Sequence, residues 1–157
     1  IFTTQGNSKA ISENNTITAK DFKFDRKQNI IIADKNVEFI DGNKNTIINS
    51  EKTIYQKNNE IIFTEGKTSS IIQNKYNFFS QNIKYDRAKQ ELSSEEKSKI
   101  IDDNKNQYFA NSFLYQIENN LLKAKEVNVL SKVNKDKSDN YFFSEGFFDF
   151  AKKKFCI

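Results

Sequence analysis

An internal repeat of about thirty residues constrains this chain more than any other feature. Phe24, Tyr55, Tyr85 and Tyr115 follow one another at intervals of 31, 30 and 30 residues. Ahead of each aromatic, at a fixed offset, stands a small residue: Ala19, Ser50, Ser80 and Ala110. After each comes a branched aliphatic, Ile31, Ile62, Leu92 and Leu122, and two residues later a second small residue, Ala33, Thr64, Ser94 and Ala124. Recurrence at this period means one supersecondary unit stacked on copies of itself.

Each unit reads as a β-hairpin. Phe22 and Phe24, Ile83 and Tyr85, and Phe113 and Tyr115 alternate as residues on one face of a strand do, with Thr53 and Tyr55 a weaker pair. Polar turns follow at Asp25-Arg26-Lys27-Gln28-Asn29, Gln56-Lys57-Asn58-Asn59, Asp86-Arg87-Ala88-Lys89-Gln90 and Ile117-Glu118-Asn119-Asn120. Asn and Asp suit such turns because they tolerate left-handed backbone and bond locally. The second strand alternates as Ile31, Ala33, Lys35, Val37, Phe39 in the first unit. In the fourth, Leu122 and Ala124 give way to Val127 and Val129 after a slip of the kind a bulge produces. A fifth unit is read from Tyr141, with Ser144, Phe148 and Phe150, its second strand starting near Phe155. Residues 95–107 and 131–140 break the pattern and are expected as long mobile hairpin ends, with at most a turn or two of helix over 94–103. Residues 1–10 are expected as a flexible N-terminal segment, and 11–157 as one domain.

Composition agrees with this architecture. The apolar share is 36% and is rich in strand formers, with fifteen Phe and six Tyr among 157 residues. Histidine is absent, which removes the commonest general base and metal ligand and leaves an enzymatic reading weak. One cysteine excludes an internal disulfide and a multi-cysteine zinc site, so neither cofactor nor metal is expected. A net charge of +4 is too small for a nucleic-acid partner. Methionine is absent too, so the chain is read as a piece of a longer protein. No stretch reaches the roughly 20 apolar residues of a membrane-spanning helix.

The fold class expected is all-β, with antiparallel hairpins stacked into two facing sheets. A β-helix is the rival, but its coils need three short strands where each unit here supplies two longer ones. Between the sheets, large and small residues alternate by level. Two readings of that alternation stay open. In one, the small columns leave room and the large ones line an apolar trough, made by Phe22, Phe24, Ile31, Ala33, Val37, Tyr55, Ile62, Ile83, Tyr85, Leu92, Phe113, Tyr115, Leu122 and Ala124. In the other, facing side chains fill the gaps and the core is packed.

The pattern Ala19-Lys20-Asp21-Phe22-Lys23-Phe24-Asp25, followed by Ile31-Ile32-Ala33-Asp34-Lys35-Asn36-Val37-Glu38-Phe39, resembles the repeat of the OstA-like proteins of lipopolysaccharide transport and assembly. Matching copies lie at residues 79–85 with Leu92, and at 109–115 with 122–129, so the resemblance covers roughly 17–157. It departs where Lys35 replaces the glycine usual before the Asn-Val step, a glycine kept as Gly66 in the second copy. The resemblance implies a β-jellyroll opened like a V. Lipopolysaccharide is the implied partner, its lipid A acyl chains held in the cleft, and other jellyroll transport proteins dock by edge-strand pairing. Two branches fit: the soluble periplasmic bridge, LptA, and the N-terminal domain of the outer-membrane assembly protein, LptD. Residues 141–157 resemble the last repeat before the LptD barrel, which favours that branch, makes a C-terminal barrel of the same chain a further partner, and suggests the periplasmic side of the outer membrane.

Cys156 is then a candidate for a disulfide with a cysteine elsewhere in the parent protein, or else a buried free thiol. Lys152-Lys153-Lys154 reads as a solvated turn rather than an anion site, and Asp21 with Asp25, or Asp102 with Asp103, as turn residues rather than acid/base pairs. The competing functional classes are a packed jellyroll that only docks partners and a β-helical enzyme acting on polysaccharide.

Overall fold

The structure, a computed structural model, describes residues 2–4, 6–132 and 136–156. Among them are sixteen strands and no helix. In chain order these are β1 (Phe2–Thr4), β2 (Ser8–Ser12), β3 (Asn15–Ala19), β4 (Asp21–Asp25), β5 (Ile30–Asp41), β6 (Thr46–Gln56), β7 (Ile61–Ile72) and β8 (Tyr76–Gln81). There follow β9 (Lys84–Asp86), β10 (Glu91–Ser94), β11 (Ser98–Ile101), β12 (Gln107–Ala110), β13 (Ser112–Gln116), β14 (Leu121–Lys132), β15 (Ser138–Asp149) and β16 (Lys154–Cys156). The strands are linked in one antiparallel ladder.

That ladder is folded on itself. The first half of β5 pairs with β4, Phe24 opposite Ile31, and its second half pairs with β3, Ile17 opposite Phe39. Strands β6, β7, β14 and β15 are shared in the same way between two layers. The first layer holds β1, β4, β9, β10, β13 and β16 with one half of each long strand; the second holds β2, β3, β8, β11 and β12 with the other halves. At every crossing the inward positions lie three or four residues apart instead of two. Examples are Ala33 to Val37, Ser50 to Thr53, Thr64 to Thr68, Ser80 to Ile83 and Ala110 to Phe113. The added residues turn the strand through the corner and keep its apolar side inside. Lys35, Asn36, Gly66, Asn82 and Glu126 take positive φ there, between 48° and 79°. The corner backbone stays bonded: Gly66 N donates to Asn82 Oδ1 at 2.9 Å, and Asn82 N to Gly66 O at 3.2 Å.

One repeat is therefore a hairpin that crosses the corner twice. The polar turns expected from the sequence close the first-layer hairpins, and each ends on a left-handed residue: Asn29, Glu60, Gln90, Asn120 and Lys153. Asp25, Asp86 and Asp149 brace three of these turns by accepting backbone N–H bonds from Lys27, Lys89 and Lys152. Phe148 takes the fifth aromatic position, opposite Leu122. Its ring lies over Gly146, where a Cβ would come within 2.6 Å of it.

Two expectations change. Residues 95–107 are not one loop and hold no helix. Ser98–Ile101 is β11, paired with β8 and β12, because Ser98 and Ile100 supply the inward positions that continue the repeat. Residues 131–132 and 138–140, expected in a loop, belong to β14 and β15, and the rest of that expectation falls partly on 133–135, outside the described residues. In the first ten residues, Phe2–Thr4 pairs with β4 and Ser8–Ser12 with β3.

Candidate functional site

The inward face of the first layer carries an unbroken row across the strands. Phe24, Ile31, Tyr55, Ile62, Tyr85, Leu92, Tyr115, Leu122 and Phe148 stand opposite one another in succession, ring and aliphatic chain alternating. Beside it toward the corner lie Phe22, Ala33, Ile83, Phe113 and Ala124. The residues expected to line a trough thus come together on one wall, with only Val37 on the second layer. The opposite wall went unread. It is built by Ile17, Phe39, Ile48, Ile72, Phe78, Ile100, Tyr108 and Val129. A signal for it was present: Ile17, Ile48, Phe78 and Tyr108 keep the thirty-residue period, two residues ahead of the first small column.

The space between the walls is filled by the chain itself. All the expected lining residues except Phe22, Phe24 and Ile31 are 4% exposed or less. Rings from the two layers meet: Phe78 lies 4.9 Å from Tyr115 and 5.3 Å from Phe113, Tyr108 5.0 Å from Phe148, and Phe39 6.3 Å from Tyr85. The small columns do not leave a hollow. They flank the corner, where the layers are joined, and their hydroxyls bond one another and the neighbouring corner threonines. Ser50 and Thr53 are 2.8 Å apart, Thr68 donates to Thr64 at 2.8 Å, and Ser80 to Ser94 at 2.9 Å.

Open space touches this interior at both ends of the row, a small pocket of about 30 Å³ beside Tyr108, Phe148 and Phe150 and a larger cleft at the Phe24 end. Phe22, Phe24 and Ile31 are half-buried and border an apolar cleft of about 200 Å³ with Thr4, Lys9 and Ala10. A larger, shallow groove of about 950 Å³ runs along the outside of the corner, with Val37 the one expected residue on its border. Phe79 and Phe109, 43% and 42% exposed, flank Lys99 there, whose ammonium sits 5.6 Å from the Phe109 ring.

Far from the corner the two layers are bridged by polar groups. Asp41 ends the second-layer half of β5 and is fully buried. Its Oδ2 accepts from Arg87 Nε at 2.9 Å and from the Tyr85 hydroxyl at 3.1 Å. Arg87 Nη1 also donates to the Tyr55 hydroxyl and to Glu60 Oε1, each at 3.1 Å. Burial, then the Asp41 charge, pushes the Tyr85 phenol far above its ordinary range. Burial followed by Asp102 does the same to Tyr108, which donates to Asp102 Oδ2 at 2.9 Å.

Among the described residues no group of three His, Cys, Asp or Glu side chains is placed to hold a metal. Asp25 and Asp102 brace turns, and Asp21 pairs with the exposed Lys35 at 2.8 Å. Lys152 and Lys153 lie in the exposed β15–β16 turn. The side chain of Cys156 lies outside the described residues, and with it the expected disulfide.

This fold has a counterpart among solved structures. The fold is similar to that of LptH. That protein is the LptA-homologous periplasmic component of the conserved lipopolysaccharide transport device from Pseudomonas aeruginosa, and its crystal structure matches with a TM-score of 0.65. The match covers 81% of this chain and 93% of LptH at 14% identity, so the likeness to LptH is one of fold: an antiparallel all-β jellyroll. No family model matches the sequence, and no curated protein does.

Proposed function

We propose that this chain is a non-enzymatic carrier module for lipopolysaccharide, working on the periplasmic side of the Gram-negative outer membrane. The lipid A acyl chains lie between the two layers, along the row from Phe24 to Phe148. The edge strands β1 and β2 at one end, and β16 at the other, dock neighbouring jellyroll proteins by main-chain pairing. The observation that carries the reading is the apolar row opening at the Phe22, Phe24 and Ile31 cleft, on a fold like that of LptH. Burial of acyl chain there stabilises the complex by about 0.8 kcal/mol per methylene. Between the branches, residues 141–157 favour LptD over LptA, with a barrel in the same polypeptide as the further partner.

A photoreactive phenylalanine analogue at Phe24, with Lys23 on the opposite face of β4 as control, tests the proposal against purified lipopolysaccharide. Crosslinking from position 24 and little from 23 is expected. The filled interior favours a second reading, a packed jellyroll that only docks partners. In that case neither position labels the lipid, and the carrier reading fails.

A further inference from the structure

Among the described residues, side-chain hydrogen bonds tie the two layers together at three places at the mouth, where the turns of one layer face those of the other, beside the ring contacts of Tyr76 with Tyr115 and Phe150. Gln73 Nε2 reaches the Ile117 carbonyl at 3.5 Å, a long and uncharged bond. Lys153 Nζ reaches Asn104 Oδ1 at 3.2 Å in the open. The third, from Arg87 and Tyr85 to Asp41, is of another kind. Asp41 is wholly buried, the Arg87 side chain is 13% exposed, and both donors converge on one carboxylate oxygen. The other oxygen, Asp41 Oδ1, is buried with no partner.

A carboxylate stripped of its cation in an apolar interior is strongly disfavoured, so the layers cannot slip apart at this end by degrees. The pair stays closed, or it opens and both groups are hydrated together. Groups bonded when closed and hydrated when open suit reversible separation better than an apolar seam, whose opening only exposes greasy surface to water. The unpartnered Oδ1 leaves the closed state short of full satisfaction, which lessens what closing the latch gains. Arg87 begins the β9–β10 turn beside solvent and is held from outside by Glu60, so the cation moves out with its turn.

We propose that Asp41, Arg87 and Tyr85 form a latch that holds the filled jellyroll shut, and that its release parts the two layers and admits an acyl chain to the row behind Tyr85. The inference rests on the carrier reading, because it names the gate of that same interior.

The test uses the whole chain and an uncharged fluorescent probe of apolar cavities, N-phenyl-1-naphthylamine, without lipopolysaccharide. Arg87→Met and Asp41→Asn are compared with the parent chain, each checked for native far-UV circular dichroism. Gly66→Val, destabilised at the corner away from the mouth, is the control. If the latch limits entry, a tenfold rise in the open fraction tightens probe binding about tenfold, and Arg87→Met shows it with Gly66→Val unchanged. Asp41→Asn keeps the shape and the hydrogen bonds without the charge; it loosens the latch less, and it decides the matter if Arg87→Met fails to fold. Probe binding unaltered in the folded latch variants, or raised equally in Gly66→Val, overturns the latch and leaves the carrier reading standing. Tighter probe binding with no gain in lipopolysaccharide binding keeps the latch and counts against the carrier reading.

Discussion

Replacing Ala33 by leucine separates the two meanings of the small residues, because they predict opposite signs. Ala33 is completely buried on β5 at the edge of the corner, between Phe22 on one neighbouring strand and Thr53 on the other. Leucine adds three carbons. If the small columns left a hollow, those carbons would fill it and stabilise the empty protein by about 2 kcal/mol, at roughly 0.8 kcal/mol for each. Where the corner instead brings the layers into contact, the added volume must displace a wall. Overpacking of this kind costs about 1–3 kcal/mol. For a chain of this length each kcal/mol shifts the melting temperature by about 2–4 °C, so Ala33→Leu is expected to melt about 2–12 °C lower. Thermal and urea unfolding followed by circular dichroism, without lipid, measures it. A variant as stable as the parent, or more so, refutes the packed-corner argument and restores the hollow.

Two further expectations follow from burial and backbone. Burial, with lesser help from Tyr76, Asp103 and Asp149, raises the Tyr115 phenol well above its ordinary value. The unfolded chain therefore loses this proton first, near pH 10, so Tyr115 favours folding fully below about that pH and its contribution falls away above it. Urea melts between pH 8 and 11 should show stability falling less steeply in Tyr115→Phe than in the parent; equal slopes contradict the assignment. Gly66 holds φ +79° at the β7 corner with open space around its Cα. Strain alone is then at issue: Gly66→Val should cost about 1–2 kcal/mol and Gly66→Asn distinctly less, since asparagine tolerates this region. Equal losses in the two variants would locate the cost elsewhere.

The layout of the hairpins was legible because their period is written in aromatics. Tyr55, Tyr85 and Tyr115 occupy equivalent inward positions; Asp86 and Asn120 close the turns after Tyr85 and Tyr115 as expected, whereas the left-handed places expected of Asn and Asp fall to Glu60 and Gln90 in two turns. What misled was the reading of alternation within a strand. A run such as Ile31, Ala33, Lys35, Val37, Phe39 looks like one flat strand, yet Lys35 and Asn36 turn it through a corner, so its two halves face each other. The second wall was missed for the same reason, since Ile17, Ile48, Phe78 and Tyr108 sit on the far side of that bend from the column used for alignment. Ser98 and Ile100 lie in a segment too polar to be recognised as a strand without knowing that one inward residue per half-strand suffices. Asp41 and Arg87 meet only because the layers cross, and no local pattern announces a pair so distant in the chain.

The row from Phe24 to Phe148 has a symmetry with a physical consequence. Its members change from ring to branched chain at each strand, and adjacent strands lie about 4.8 Å apart, so the chemistry recurs every 9–10 Å along the stacking direction. An oily body displaced by one hairpin's width would leave one set of neighbours and acquire an equivalent set. Along that axis the wall has a corrugation but little net slope, which is the energy profile of a track.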